Sequence, residues 1–242
     1  MGSLSGKEGR PGLARVARLL PAFAVAAAVA LLAGAAIVRD VRQERAQAAA
    51  RLEAVAELRA TQVQAWLDRH MSFAQFLDDS TVMAQLYLRW QEQGDAEAGR
   101  QLVTRTIDSR HADGADSALV LDARGQVLAR EHPSDLEPAP ELARTLQEAL
   151  RAGAATSSTI YRRPGSRMPQ RLDIVVPLLK TGQPPRGALV LRIDPRRSLF
   201  PMLATWPVPS ATAEALLWGR DGDRVVVLND LRAAPGGAGL PG

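Results

Sequence analysis

Three polar residues on neighbouring predicted strands are the candidates for a binding site. Arg171 and Asp173 lie two positions apart in RLDIVVPLLK, and because strand side chains alternate between faces, the two share one face. Tyr161 lies on the preceding strand. An arginine can pair with a carboxylate, an aspartate can accept an ammonium group, and a tyrosine ring can cover a ligand. This set would suit a small organic acid, an amino acid or an amine; the alternative is a solvated strand face with a cross-strand ion pair.

No sequence motif for catalysis or metal binding accompanies these residues. The chain lacks cysteine, which excludes thiolate metal sites and cysteine nucleophiles. The histidines His70, His111 and His132 are not at metal-ligand spacing, so we expect packing or surface roles for them. No nucleophile elbow, Walker loop or HExxH motif occurs. We therefore predict no catalytic residue, no metal site and no cofactor.

The charge pattern argues against nucleic-acid binding. The 30 basic and 26 acidic residues are well mixed along the chain and leave a net charge of +4. A nucleic-acid site needs lysine and arginine clustered on one face. With 46% apolar residues the chain can still form an ordinary folded core.

The candidate residues belong to an α+β pattern over residues 117–194. SALVLDARGQVLAR predicts a strand, a turn at Gly125 and a second strand, and ELARTLQEALRAG predicts a helix that ends at Gly153. Three further strands follow, ATSSTIYRR, RLDIVVPLLK and GALVLRID. We predict a five-stranded antiparallel sheet with one helix in its long crossover.

Helices are predicted over residues 40–111, before the sheet. Residues 40–78 contain few helix breakers and favour one long stalk helix, and Ser80 and Asp95 are candidate N-caps for two shorter helices. One stripe of the stalk is apolar, and it comprises Val55, Leu58, Trp66, Phe73 and Leu77. We expect this stripe to pack on the domain that the stalk carries and to support a homodimer; an ordinary amphipathic core helix is the alternative.

An uncharged stretch, LLPAFAVAAAVALLAGAAIV, occupies residues 19–38. A helix of about 20 apolar residues matches the hydrocarbon core of a bilayer, so we predict a transmembrane helix with the lipid bilayer as partner. The alternative is a signal peptide cleaved near Ala33-Gly34-Ala35. The basic residues of 1–18 favour a cytoplasmic tail, which would place the rest of the chain outside the cytoplasm.

A second hairpin resembles the first. ALVLDARG begins at Ala118 and ALLWGRDG begins at Ala215, and each places a glycine seven residues after its alanine. We interpret residues 195–213 as a linker and residues 214–242 as an incomplete second unit of the same kind. On this interpretation the sequence is a fragment of a longer protein.

The residues 173–195, DIVVPLLKTGQPPRGALVLRIDP, resemble the Cache domains of bacterial receptors. The match consists of an apolar strand ending in proline, a glycine-bearing turn and a strand that closes near Ile-Asp, at Pro177, Gly182, Gly187, Ile193 and Asp194. The resemblance covers about residues 40–232 and implies two PAS-like units in tandem, a double Cache sensor. It also implies a ligand pocket on the sheet of the membrane-distal unit, residues 117–194.

This resemblance implies an extracytoplasmic sensor region of a transmembrane receptor, of the histidine-kinase type, in a two-component system. It also implies an anchor in the bacterial inner membrane, with the sensor region in the periplasm. One alternative is the sensor of a diguanylate cyclase, a phosphodiesterase or a chemoreceptor. Another is a stand-alone membrane-anchored binding protein, in which residues 215–242 would belong to the first domain.

Overall fold

The structure is a computed structural model, and it describes residues 11–131, 139–163, 169–178, 184–205, 214–221 and 224–229. Within these ranges, side chains are described except at residues 11–24, 26, 27, 220, 221 and 224. His132, Gly182, residues 206–213 of the predicted linker and residues 222, 223 and 230–242 of the predicted second unit lie outside the description. The chain divides into two compact units, residues 1–57 and 58–242.

Helix α1 runs without a break from Pro11 to Asp78, through both the apolar stretch and the predicted stalk. Residues 35–78 contain neither glycine nor proline and are rich in strong helix formers, so nothing in this part interrupts the helix. Within the first unit, every residue from 28 to 54 is exposed.

The membrane span predicted at residues 19–38 is not supported by the structure. Among the residues that the structure describes, no helix is long and apolar enough to cross a membrane. The described side chains of the apolar stretch are those of Val25 and residues 28–38, and the charged residues Arg39 and Asp40 follow directly.

Helices α2 (Thr81–Gln93) and α3 (Ala96–Asp113) follow, and glycines end both of them. Asp95 caps α3 as predicted, since its carboxylate accepts a hydrogen bond from the Ala98 N–H at 3.0 Å. Ser80 occupies the N-cap position of α2 but makes no side-chain cap bond. Gly94 ends α2 in the left-handed conformation, with a φ of 70° that glycine adopts at little cost.

One antiparallel sheet forms the centre of the second unit. Its strands are β1 (Ser117–Asp122), β2 (Val127–Arg130), β3 (Thr156–Ser157), β4 (Tyr161–Arg162), β5 (Gln170–Leu178) and β6 (Gly187–Ile193). The order is β2-β1-β6-β5-β3, and β4 also pairs with β5, so the two short strands share one edge. Helix α4 (Pro140–Ala152) crosses from β2 to β3 and ends at Gly153. The α+β class, the long N-terminal helix and the antiparallel sheet are confirmed. The sheet has six strands instead of the predicted five, because the stretch ATSSTIYRR forms two short strands, β3 and β4, rather than one.

The sheet is covered on both faces. One face packs on helices α1, α2 and α3 around Trp66, Tyr87, Leu102 and Ile174. The other face packs on α4, where Leu142 and Leu146 meet residues of the three long strands. All residues of β5 and β6 are consequently buried. Of the predicted stripe, Trp66 and Leu77 lie in the first core and Phe73 is partly buried against it, whereas Leu58 is 46% exposed, so only the later part of the stripe packs on the domain.

Two elements follow the sheet. Helix α5 (Leu199–Ala204) lies inside the stretch interpreted as a linker and buries Leu199 and Leu203. Strands β7 (Trp218–Asp221) and β8 (Arg224–Val227) form the predicted second hairpin as a separate two-stranded sheet. Ala215 and Leu217, just before β7, pack against the core between the first sheet and helices α1, α2 and α3.

Candidate functional site

The three candidate residues meet at one end of the sheet because of strand register. Asp173 of β5 is paired with Arg192 of β6, and Arg171 of β5 is paired with Tyr161 of β4. Asp173 shares its face with Val175, which belongs to the core under α4. The polar side chains therefore lie on the same face as that apolar core, nearer to the end of the sheet. We call Tyr161, Arg171, Asp173 and Arg192 the buried cluster.

Asp173 is the centre of the buried cluster. Its Oδ1 accepts from Arg192 Nε at 2.7 Å, and its Oδ2 accepts from Arg192 Nη2 at 3.2 Å and from the Tyr161 hydroxyl at 2.5 Å. Charge-assisted hydrogen bonds of this length are among the strong ones in proteins. The exposed fractions of Asp173 and Arg192 are 0% and 1%, so the ion pair is shielded from water.

The backbone around Asp173 is bonded as tightly as its side chain. The Asp173 N–H donates to Ser158 Oγ at 3.0 Å, and the Ser158 N–H donates to the Asp173 carbonyl at 2.8 Å. Ser158 lies between β3 and β4, where the edge strand is interrupted. At the interruption, the Ser158 hydroxyl accepts the hydrogen bond from the Asp173 N–H that a backbone carbonyl would accept in a regular strand pair.

Arg171 contributes a second buried guanidinium. Its Cζ lies 5.8 Å from the centre of the Tyr161 ring, within the range of a cation–π interaction, and the residue is 2% exposed. Tyr161 therefore binds Asp173 with its hydroxyl and faces Arg171 with its ring.

The tyrosine hydroxyl is held in its neutral form. Burial, together with the negative charge of Asp173 and the hydrogen bond to it, raises the pKa of Tyr161 far above its ordinary value. Tyr161 therefore remains a hydrogen-bond donor throughout the physiological range. Chemically, the buried cluster can bind carboxylates through its guanidinium groups and ammonium groups through Asp173, when the internal bonds are exchanged.

The sequence indicated Tyr161, Arg171 and Asp173, and the structure brings all three together. It missed Arg192, which is the direct partner of Asp173. The available signal was that Arg192 is the single charged residue in GALVLRI, a strand otherwise entirely apolar. The ion pair that was weighed as an alternative exists, but it is buried, and it joins Asp173 to Arg192 on the neighbouring strand.

A second buried polar pair lies on the other side of the sheet. Nδ1 of His70 on α1 lies 2.9 Å from a carboxylate oxygen of Asp113, at the end of α3, and the Trp66 ring packs edge-on against the imidazole. His70 thus has the packing role that we expected. Among the described residues, no group of three or more histidine, aspartate or glutamate side chains could hold a metal ion.

Comparisons with known proteins give a structural likeness only. No family model matches the chain, and no curated protein matches it. Seven chains of solved structures match. One of them is the extracellular domain of a protein named as the histidine kinase vpHK1S-Z8, with 16% sequence identity and a TM-score of 0.36. The match covers 63% of this chain and 63% of that one.

Proposed function

We propose that this chain is the ligand-sensing region of a bacterial signalling receptor, with the sheet domain outside the cytoplasm and a histidine kinase as the output. The resemblance of residues 173–195 to Cache domains supports the class of protein. The ligand is a small molecule that carries a carboxylate or an amine, and it binds at the buried cluster.

The observation that carries this proposal is a complete ion pair inside a sheet that is otherwise packed with apolar residues. Removing two charges from water costs several kcal/mol per ion, and apolar residues of the same volume often stabilise a fold as well or better. All the remaining residues of strand β6 are glycine or apolar, so stability alone does not require Arg192. Buried, interacting ionisable groups are concentrated at functional sites.

The cluster supports a mechanism of partner exchange. In the arrangement seen in the structure, both oxygens of Asp173 accept hydrogen bonds from Arg192 and Tyr161. A ligand carboxylate would replace Asp173 on the guanidinium of Arg192, or a ligand amine would replace Arg192 on Asp173. A ligand that binds one of these two arrangements more tightly shifts the population toward it.

Thermal-shift measurements on the full chain with a panel of small carboxylates, amines and amino acids test the proposal. We expect one class to raise the unfolding temperature of the wild type but not of Asp173→Asn or Arg192→Met. Asp113→Asn, which changes another buried carboxylate, serves as the matched control and should keep the response. An unchanged response in both cluster variants, or no response to any compound, contradicts the proposed site.

A cytoplasmic location would contradict the proposed topology. A reporter fused after residue 60 should be active only if it is of a type that functions outside the cytoplasm. The same sensor would serve a diguanylate cyclase, a phosphodiesterase or a chemoreceptor, and these outputs remain the alternatives.

The packing of Ala215 and Leu217 favours one further candidate, a stand-alone binding protein whose hairpin β7–β8 belongs to the first domain. Gln170 also donates to the Leu228 carbonyl at 2.5 Å, which fastens the hairpin to β5. Against this candidate, Trp218 and Val225 are 66% and 70% exposed, so the first domain leaves these apolar residues of the hairpin uncovered.

The proposed receptor acts as a homodimer. The exposed apolar residues of α1 in the first unit, among them Val38, Val41 and Leu52, support association of two copies along this helix. Light scattering on the purified chain should give twice the mass of the 26.0 kDa monomer, and a monomer at high concentration would contradict this.

A further inference from the structure

Helix α5 connects the buried cluster to helix α1. It follows β6, the strand that carries Arg192, and it buries Leu199 and Leu203 in the same core as Trp66 of α1. The exposed fractions of Leu199 and Leu203 are 0% and 3%. A six-residue helix so short is positioned by its packing rather than by its own stability.

Two long-range hydrogen bonds fasten this segment to α1. The indole N–H of Trp66 donates to Ser198 Oγ at 3.0 Å, and Nη1 of Arg59 donates to the Met202 carbonyl at 3.0 Å. Trp66 and Arg59 are both buried. The two bonds hold the beginning and the middle of the segment against one side of α1.

Hydrogen bonds and an ion pair fix the segment from Arg192 to Ser198. The Arg192 carbonyl accepts from the Asp116 N–H at 2.8 Å, and the Asp116 carboxylate accepts from the Asp194 N–H at 2.6 Å. Asp116 also pairs with Arg197. The Phe200 N–H donates to the Pro195 carbonyl at 2.9 Å, which closes the turn into α5. A movement of Arg192 is therefore transferred to α5 rather than absorbed by a loose loop.

We propose that α5 is the output element of the buried cluster. When the pair between Asp173 and Arg192 opens, the end of β6 shifts, α5 moves with it, and the contacts of α5 with Arg59 and Trp66 on α1 change. The role of this movement in signalling rests on the proposed sensing function. The coupling itself is a property of the chain without any ligand, and it can be measured in that state.

A double-mutant cycle between Asp173→Asn and Ser198→Ala tests the coupling. Distant, independent sites give additive effects within about twofold in the unfolding constant. We expect the double variant to depart from the product of the single variants by threefold or more. Asp173→Asn with Thr106→Val is the control cycle, since the Thr106 hydroxyl bonds within α3 to the Leu102 carbonyl, and it should be additive.

A measured distance between α1 and the end of α5 reports the position of α5, and a change in the free energy of unfolding alone would not alter it. The chain has no cysteine, so Ala65→Cys on α1 and Thr205→Cys after α5 can carry two spin labels at exposed positions. The charge-neutral pair Asp173→Asn with Arg192→Met should shift or broaden the distance between the labels, whereas Thr106→Val should not. If the single variant Asp173→Asn does not fold, this charge-neutral pair also replaces it in the cycle.

Additive cycles together with an unchanged label distance would overturn the proposal. Because both measurements are made without ligand, this outcome is independent of the binding test. Conversely, a coupled cycle in a chain that binds no compound would retain α5 as a mechanical link and remove only the sensing role.

Discussion

Asp173 and Arg192 lie directly opposite each other on two antiparallel strands and form a two-point ion pair inside the protein. The pair lies on the sheet face that packs on α4 and is next to the apolar core there. Its geometry satisfies both carboxylate oxygens, and this compensation is what makes a buried charge tolerable.

Breaking this pair from one side should destabilise the protein strongly. Asp173→Asn leaves the guanidinium of Arg192 buried without its counter-charge, which costs about 3–5 kcal/mol in comparable cases. Urea titration of the variant and the wild type, monitored by circular dichroism, measures the loss. Asp173→Asn with Arg192→Met should recover a large part of it, because the guanidinium of Arg192 is removed together with its counter-charge.

The exposed pair of Glu97 with Arg100 supplies the control for that measurement. Both side chains are more than half exposed, so Glu97→Gln should leave the urea midpoint almost unchanged. A cost for Asp173→Asn as small as that of Glu97→Gln would mean that water reaches the buried cluster.

High pH should destabilise the fold through Tyr87. Burial, aided by the charges of Asp122 and Glu92, raises the pKa of this tyrosine to about 12. The folded state then holds the proton more tightly than the unfolded state, in which the pKa is near 10. The stabilisation is complete below about pH 10 and is lost as the pH rises toward about 12.

Tyr87→Phe tests this dependence. Urea midpoints measured from pH 8 to pH 12 should fall less steeply in the variant than in the wild type above about pH 10, and should run parallel below it. The chain has two tyrosines, and the pKa of Tyr161 is also raised, so some slope should remain. Identical slopes in the two proteins would show that Tyr87 ionises equally well in both states.

Gly187→Ala should prevent the normal docking of β6. A Cβ at this position would lie 2.4 Å from Tyr87 Cζ and 2.6 Å from the Leu121 carbonyl oxygen, and a backbone oxygen cannot turn away. We expect a fall of several degrees in the unfolding temperature, or no folded protein, by differential scanning fluorimetry. Gly34→Ala is the matched control, since nothing lies within 4 Å of that position, and alanine there should be neutral or favourable.

The hairpin β7–β8 offers a contrast between its two faces. Leu228 is 5% exposed, and Leu228→Ala should cost about 2 kcal/mol or more if the hairpin belongs to the first domain. Trp218→Ala on the exposed face should cost less than about 0.5 kcal/mol. Equal and small effects from both variants in urea unfolding would show that the hairpin opens independently of the sheet.

Local signals in the sequence predicted the secondary structure well. Asp95 and Gly153 mark helix ends because an N-cap acceptor and the left-handed conformation are local requirements. The two hairpins and the alternation of β5 are local in the same sense. The candidate residues Arg171 and Asp173 were placed on one face for that reason.

Features that depend on distant contacts were harder to predict. The partnership of Asp173 with Arg192 depends on the register of β5 against β6, which pairs residues 19 positions apart in the chain. Helix α5 lies in a stretch that contains prolines and looks like a linker, and it forms because Leu199 and Leu203 find a core to enter. The burial of all β5 residues likewise requires α4 on one face and α1 to α3 on the other.

The two central strands have no side that faces solvent. A change in what the proposed site binds therefore cannot be acquired by varying an exposed surface of these strands one residue at a time. Interior positions opposite each other must change together, as volume and charge are conserved only in the pair. Libraries that randomise facing positions of β5 and β6 jointly should yield folded variants far more often than libraries that randomise either strand alone.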